Sequence, residues 1–265
     1  MSNRIDGMFQ RKAALGQKAL ITFTTAGDPD IETTKRLALA MERAGADLIE
    51  LGVPYSDPIA EGPVIQAANV RALKHDVRMD TLFQMVAELR RETQIPLVYL
   101  IYLNCVLQYG KDAFFRRCRE AGVDGVIVPD LPLEESAEIS AEAKAHEVRL
   151  IRLVAPTSEA RIAQIAAEAE GFLYCVSSLG VTGARAAFST DFERYFAAVN
   201  RVKRTPTALG FGISTPEQVR SLKQYADAVI VASAIVKRMA EAASPDEAVR
   251  AVEGFVGELK GAMGE

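Results

Sequence analysis

Short runs of β-branched and large apolar residues recur along the whole chain: ALITFTT (19–25), DLIELG (47–52), PLVYLIY (96–102), DGVIVPD (124–130), VRLIRLVA (148–155), FLYCVSS (172–178), TALGFG (207–212) and DAVIVAS (227–233). They are continuous rather than alternating, which marks strands covered on both faces, the habit of parallel sheets. Between them lie stretches with apolar positions at helical spacing and a charged opposite face, such as IETTKRLALAMERAG, DTLFQMVAELRRE, KDAFFRRCREAG, EESAEISAEAKAHE and PEQVRSLKQYA. One unit repeats as ERAGADLIEL, REAGVDGVIV and KQYADAVIV: an amphipathic helix, a small-residue turn, an Asp, then a strand. The short turn returns the chain to the bottom of a sheet. Eight strands alternating with helices, without a Pro/Ser-rich linker, predict an α/β fold, a single (β/α)8 TIM barrel over 1–265. The amphipathic opening MSNRIDGMFQRKAAL predicts an extra helix ahead of the first strand. An open doubly wound sheet is the alternative, weakened because FTTAGDPD stands where a GxGxxG turn would follow the first strand.

Composition narrows the partners more than the fold. The 265 residues are 49 % hydrophobic and 25 % charged with a net charge of -4, an ordinary globular balance close to the length of a typical barrel. No basic run or basic helix face appears, which argues against nucleic acid and anionic membranes. The most apolar stretch, 97–107, is too short to span a bilayer and is interrupted by Asn104. The opening has no apolar core of a secretory signal. Cys105, Cys118 and Cys175 have neither metal nor CxxC spacing and an odd count, and read as reduced thiols of a cytoplasmic protein.

Two carboxylates break the apolar pattern. Glu50 interrupts the strand DLIELG, and Glu61 follows in the loop GVPYSDPIAEGP. A surface carboxylate at a strand end would read the same way in sequence. Within the strand, however, Leu48 and Glu50 share a face, and in a barrel that face points inward, toward the end where function gathers. A desolvated Glu there has a raised pKa and both donates and accepts a proton. The small-residue clusters SSLGVTGAR (177–185), GFGIS (210–214) and the run into Ser233 follow the sixth, seventh and eighth strands. Loops there, with a short helix N-terminus, form the usual barrel phosphate site; the bland alternative is glycines serving turns only.

Missing residue types limit the chemistry. No lysine falls at a predicted C-terminal strand end; Lys18 and Lys203 precede strands, so a Schiff-base aldolase lacks its nucleophile. His75 and His146 lie away from the strand ends and read as ordinary surface residues, which leaves no metal site. A phosphorylated substrate, two carboxylates and a tyrosine fit proton-transfer chemistry without a cofactor in this chain.

The segments ELGVPYSDPIAEGPVIQ, FTTAGDP, VPDLPLEES, SSLGVTGAR, GFGIS and ASAIVK closely resemble the tryptophan synthase alpha subunit family, in order and over nearly the whole chain. The resemblance implies retro-aldol cleavage of indole-3-glycerol phosphate to indole and glyceraldehyde 3-phosphate. It also implies a pyridoxal-phosphate beta subunit as partner in an αββα heterotetramer, with indole passing between the subunits. By position, Glu50 matches the family's principal general acid–base, Glu61 its second catalytic carboxylate, and Tyr174 the tyrosine beside the substrate. Phe23 and Tyr102 match pocket positions; Gly183, Gly212, Ala232 and Ser233 match phosphate contacts. Thr182 matches a residue of a lid loop (178–192) that closes on the second carboxylate, which the active-site loop (54–63) carries. Pro54, Asp57 and Asn104 match the surface facing the beta subunit. Three departures stand out: Glu61 where Asp is commoner, Ala232 where Gly is usual, and Ser178 where some members carry Arg. A backbone donor survives at Ala232 only with negative φ. A stand-alone indole-releasing lyase and a non-catalytic phosphate-binding regulatory subunit are the alternatives.

Overall fold

The structure, a computed structural model, describes residues 3–177 and 190–264. The chain opens with α1 (Arg4–Ala14), β1 (Ala19–Thr25), α2 (Ile31–Arg43), β2 (Leu48–Gly52), α3 (Pro63–Leu73) and α4 (Met79–Leu89). It continues through β3 (Leu97–Leu100), α5 (Leu103–Tyr109), α6 (Lys111–Ala121), β4 (Gly125–Ile127), a 3₁₀ turn (Leu133–Glu135), α7 (Ala137–Ala145), β5 (Arg149–Val154) and α8 (Glu159–Ala167). The last part holds β6 (Leu173–Val176), α9 (Phe192–Val202), β7 (Thr207–Gly210), α10 (Pro216–Leu222), β8 (Ala228–Val231), α11 (Ser233–Glu241) and α12 (Pro245–Gly264).

The eight strands pair in chain order, all parallel, and β8 returns to β1 through Ala19↔Ala228 and Ile21↔Ile230. That closure excludes the open doubly wound sheet. Each predicted strand run contains one of the observed strands. Side-chain alternation then divides the core in two. Leu48, Val98, Ile127, Ile151, Ala208 and Ile230 meet inside the barrel, whereas Leu20, Ile49, Leu97, Val126, Leu150 and Val229 face the ring of helices. The predicted N-terminal helix lies across the bottom: Ile5, Met8 and Phe9 of α1 join the inner cluster, all at most 4 % exposed. Each such side chain contributes roughly 1.5–3 kcal/mol on burial, so α1 is the floor of the barrel.

The Asp of the repeated unit has a structural task. Asp47 accepts the amide of Leu20 at 2.8 Å, Asp124 that of Leu97 at 2.9 Å and Asp227 that of Thr207 at 2.9 Å. In each case the Asp ahead of one strand satisfies an N–H at the start of the preceding neighbour, where no further ladder partner exists. Cations complete the three sites: Lys12 and Lys260 on Asp47, Arg4 and Arg90 on Asp124, Lys18 and Lys203 on Asp227. The repetition therefore anchors the bottom of the barrel and leaves the top for chemistry. No helix among the described residues is long and apolar enough to cross a membrane.

Candidate active site

Glu50 sits in β2 between Phe23 of β1 and Val98 of β3 in the register, and is 1 % exposed. It has the inward parity of Leu48, as the alternation predicts. Its Oε1 is buried without a hydrogen-bond partner among the described residues. Burial pushes its carboxyl up to about 8, because no cation among the described residues offsets the loss of water. At neutral pH this side chain carries a proton.

Two aromatic rings are fitted over glycines beside it. A Cβ on Gly52 would meet the Phe23 ring at 2.5 Å, and one on Gly210 would meet the Tyr174 hydroxyl at 2.6 Å. Those positions lack side chains because a ring occupies the space. Burial, and secondarily the charge Glu50 carries once it ionises, raise the Tyr174 phenol well above its ordinary value, so it stays neutral. Phe211, which sequence reasoning passed over, packs edge-on to Tyr174 with centroids 5.9 Å apart. Its backbone has φ 73° and its carbonyl accepts the Ser177 hydroxyl at 2.5 Å. A non-glycine residue held there stores strain of roughly 1–3 kcal/mol and is a mark of functional loops; the flanking glycines were the one available signal.

Glu61 closes the loop between β2 and α3, just ahead of Gly62 and Pro63, and is 5 % exposed. Tyr102, at the end of β3, donates its hydroxyl to Glu61 Oε2 at 2.7 Å and accepts the amides of Ile59 at 3.0 Å and Ala60 at 2.9 Å. Tyr55 stacks on the Tyr102 ring at 4.7 Å. Tyr102 is thus bonded to the loop, a contact its expected place in the pocket did not foretell. Burial raises the Glu61 carboxyl, the Tyr102 bond opposes that, and the charge of Asp130 adds to it.

At the top of β7 and β8, Gly212 has φ 81°, Ala232 has φ -120°, and Ser233 opens α11 with 6 % exposure. The negative φ at Ala232 meets the condition for a usable backbone donor there. The first turn of α11 offers N–H groups that lack intrahelical partners and the positive end of the helix dipole. Thr182, Gly183 and Ser178 lie outside the described residues, as does most of the 178–192 segment. Pro54 is buried within the loop, whereas Asp57 and Asn104 are exposed. Near them Ile59 is 70 % and Leu107 45 % exposed, an apolar signal that the sequence reading did not use. His75 is exposed beyond α3, and His146 ends α7 with Nε2 2.8 Å from Asp112.

The family model of the tryptophan synthase alpha chain matches residues 9–264. The tryptophan synthase alpha chain of Thermoanaerobacter sp. (strain X514) is 49 % identical over 258 residues, 97 % of this chain and 98 % of that one. That of Caldanaerobacter subterraneus subsp. tengcongensis is 50 % identical over the same length and coverage. The crystal structure of the Legionella pneumophila subsp. pneumophila alpha chain superposes with a TM-score of 0.91 at 36 % identity, covering 100 % of this chain and 98 % of that one. A chain of the Pyrococcus furiosus tryptophan synthase complex gives 0.84 at 35 % identity over 92 % and 99 %. With a closed barrel, an inward carboxyl on its second strand and relatives matched end to end, the chain belongs to the tryptophan synthase alpha chain family.

Proposed function

We propose that Glu50 and Glu61 divide the acid–base work of the family's lyase reaction, the cleavage of indole-3-glycerol phosphate to indole and glyceraldehyde 3-phosphate in tryptophan biosynthesis. The observation that carries this reading is a carboxyl inside the barrel, unpartnered at Oε1 among the described residues and held protonated to about 8. Protonated Glu50 donates to the indole ring carbon that bears the glycerol chain, giving an indolenine cation. Glu61 accepts a hydrogen bond from the indole N–H and stabilises that charge. The Glu50 carboxylate then takes the proton of the adjacent glycerol hydroxyl. The C–C bond breaks, its electron pair returns to the ring, and aldehyde and indole result. One such group contributes on the order of 10²–10⁴-fold, so the rate requires both.

Gly212, Ala232 and Ser233 with the α11 N-terminus hold the phosphate, and Gly183 is assigned to the same anion. Phe23, Tyr174 and Phe211 wall the indole end, and Thr182 belongs to the lid. Asp57, Asn104 and the exposed Ile59 and Leu107 form the surface for a beta subunit that carries pyridoxal phosphate, with Pro54 shaping the loop beneath. The assembly is an αββα heterotetramer of the cytoplasm, where the three free cysteines stay reduced.

The test is incubation with indole-3-glycerol phosphate, following indole with and without beta subunit. Glu50→Gln is expected to abolish indole formation while glycerol-phosphate binding stays nearly intact. Binding that fell in step with rate would make Glu50 structural. Indole release already fast alone and unchanged by beta subunit would remove the partnered reading.

A further inference from the structure

We propose that Tyr102 is the positioning residue of Glu61, holding the second carboxylate in its working orientation through a hydroxyl that also fastens the carboxylate's own loop. The inference rests on the role given to Glu61 above. A phenol has one proton to donate and two lone pairs to accept with. Here the proton goes to Glu61 Oε2, and the lone pairs take the amides of Ile59 and Ala60, the two residues just before Glu61. All three capacities are used within one three-residue segment. The hydroxyl is therefore committed to the loop and has none left for substrate.

Burial and two further contacts make the arrangement rigid. Tyr102 is 2 % exposed, Tyr55 from the same loop stacks on its ring, and Gln66 of α3 donates to the Glu61 carbonyl at 2.7 Å. The charged group facing Glu61 from the next strand end is Asp130, whose Oδ1 is engaged by the Leu103 amide at 2.9 Å. Tyr102 thus supplies hydrogen-bond stabilisation of the Glu61 anion, which burial and the charge of Asp130 both oppose. The arrangement also bears on the longer acid. An aspartate at position 61 would end about one C–C bond, roughly 1.5 Å, short, and the 2.7 Å bond would open unless the loop followed.

The experiment is a double-mutant cycle in steady-state indole formation with indole-3-glycerol phosphate and saturating beta subunit, over pH 5–9. Tyr102→Phe keeps the ring and its packing and removes only the hydroxyl. Losing one charge-assisted hydrogen bond to the anion predicts a kcat about ten- to hundredfold lower. KM should stay within about twofold, since substrate contacts persist. The acid limb of kcat/KM should move to higher pH, because the bond lost is one that favoured the Glu61 anion. In a Glu61→Asp background, where the bond is already open, Tyr102→Phe should change kcat by less than about twofold. Tyr55→Leu, which keeps the hydroxyl and removes the stack, should lower kcat in the same direction by a smaller factor.

Equal losses from Tyr102→Phe in both backgrounds overturn the proposal, as does an effect confined to KM, which would return Tyr102 to the substrate pocket. An unmoved acid limb with unchanged kcat also overturns it. Glu61→Gln retaining parental turnover would instead remove the role of Glu61 itself, whatever Tyr102 does.

Discussion

Glu50→Gln should make the chain more stable than its parent above neutral pH while removing its activity. Glu50 holds its proton to about 8, against an ordinary 4.5. Between those values the folded chain binds one more proton than the unfolded chain, so unfolding releases a proton and is favoured as pH rises. The stability is present in full below 4.5 and is lost at about 1.4 kcal/mol per pH unit up to 8, roughly 5 kcal/mol in all. That is a large part of the 5–15 kcal/mol typical of a folded domain. Glutamine has the same shape and no proton to lose. It leaves a buried amide short of partners at about 1–3 kcal/mol, an offset that is the same at every pH. The diagnostic quantity is therefore the change in the difference between variant and parent across pH. Equilibrium urea unfolding at pH 5, 6.5 and 8 measures it, taken from native to fully unfolded because chains of this length populate intermediates. The variant should gain about 3–5 kcal/mol on the parent between pH 5 and 8. Parallel curves within about 0.5 kcal/mol would mean that Glu50 is solvated or paired in solution, and the desolvation argument for a protonated catalytic acid would fail.

Arg71→Ala strands Asp28, which is fully buried and held by two hydrogen bonds of 2.8 and 2.7 Å from that guanidinium. Because Arg71 is itself 35 % exposed, the expected loss is about 2–3 kcal/mol, below that of a fully buried pair. Burial already raises the Asp28 carboxyl and Arg71 opposes that, so without Arg71 the neutral acid is favoured further and the loss should shrink as pH falls; a loss independent of pH in urea titrations would contradict this. Gly210→Ala places a methyl 2.6 Å from the Tyr174 hydroxyl and 2.7 Å from its ring. It should destabilise by about 1–3 kcal/mol and lower kcat more than glycerol-phosphate affinity, measured by calorimetry and indole release. Ala232→Gly should leave glycerol-phosphate affinity within about twofold, because φ at that residue is already negative; a tenfold gain on titration would show that alanine distorts the anion site.

The local pattern settled a good deal on its own. Continuous apolar runs located every strand, and alternation within DLIELG put Glu50 on the inward face with Leu48. Both follow from the period of the backbone, a property of neighbouring residues. The small-residue segments after β7 and β8 were legible for the same reason, since turn chemistry is local. The repeat carrying Asp47, Asp124 and Asp227 was visible, but its purpose was not. Each carboxylate serves an amide on a neighbouring strand 20–27 residues away in the chain. Nothing in the local pattern explained the missing side chains at Gly52 and Gly210; the rings of Phe23 and Tyr174 above them do. Tyr102 is the clearest case. Its bond to Glu61 spans 41 residues of sequence, and nothing in either segment announces the other. Residue period and turn chemistry fix which face a side chain takes; only strand register, barrel closure and the path of the 53–62 loop decide which distant atom waits there to meet it.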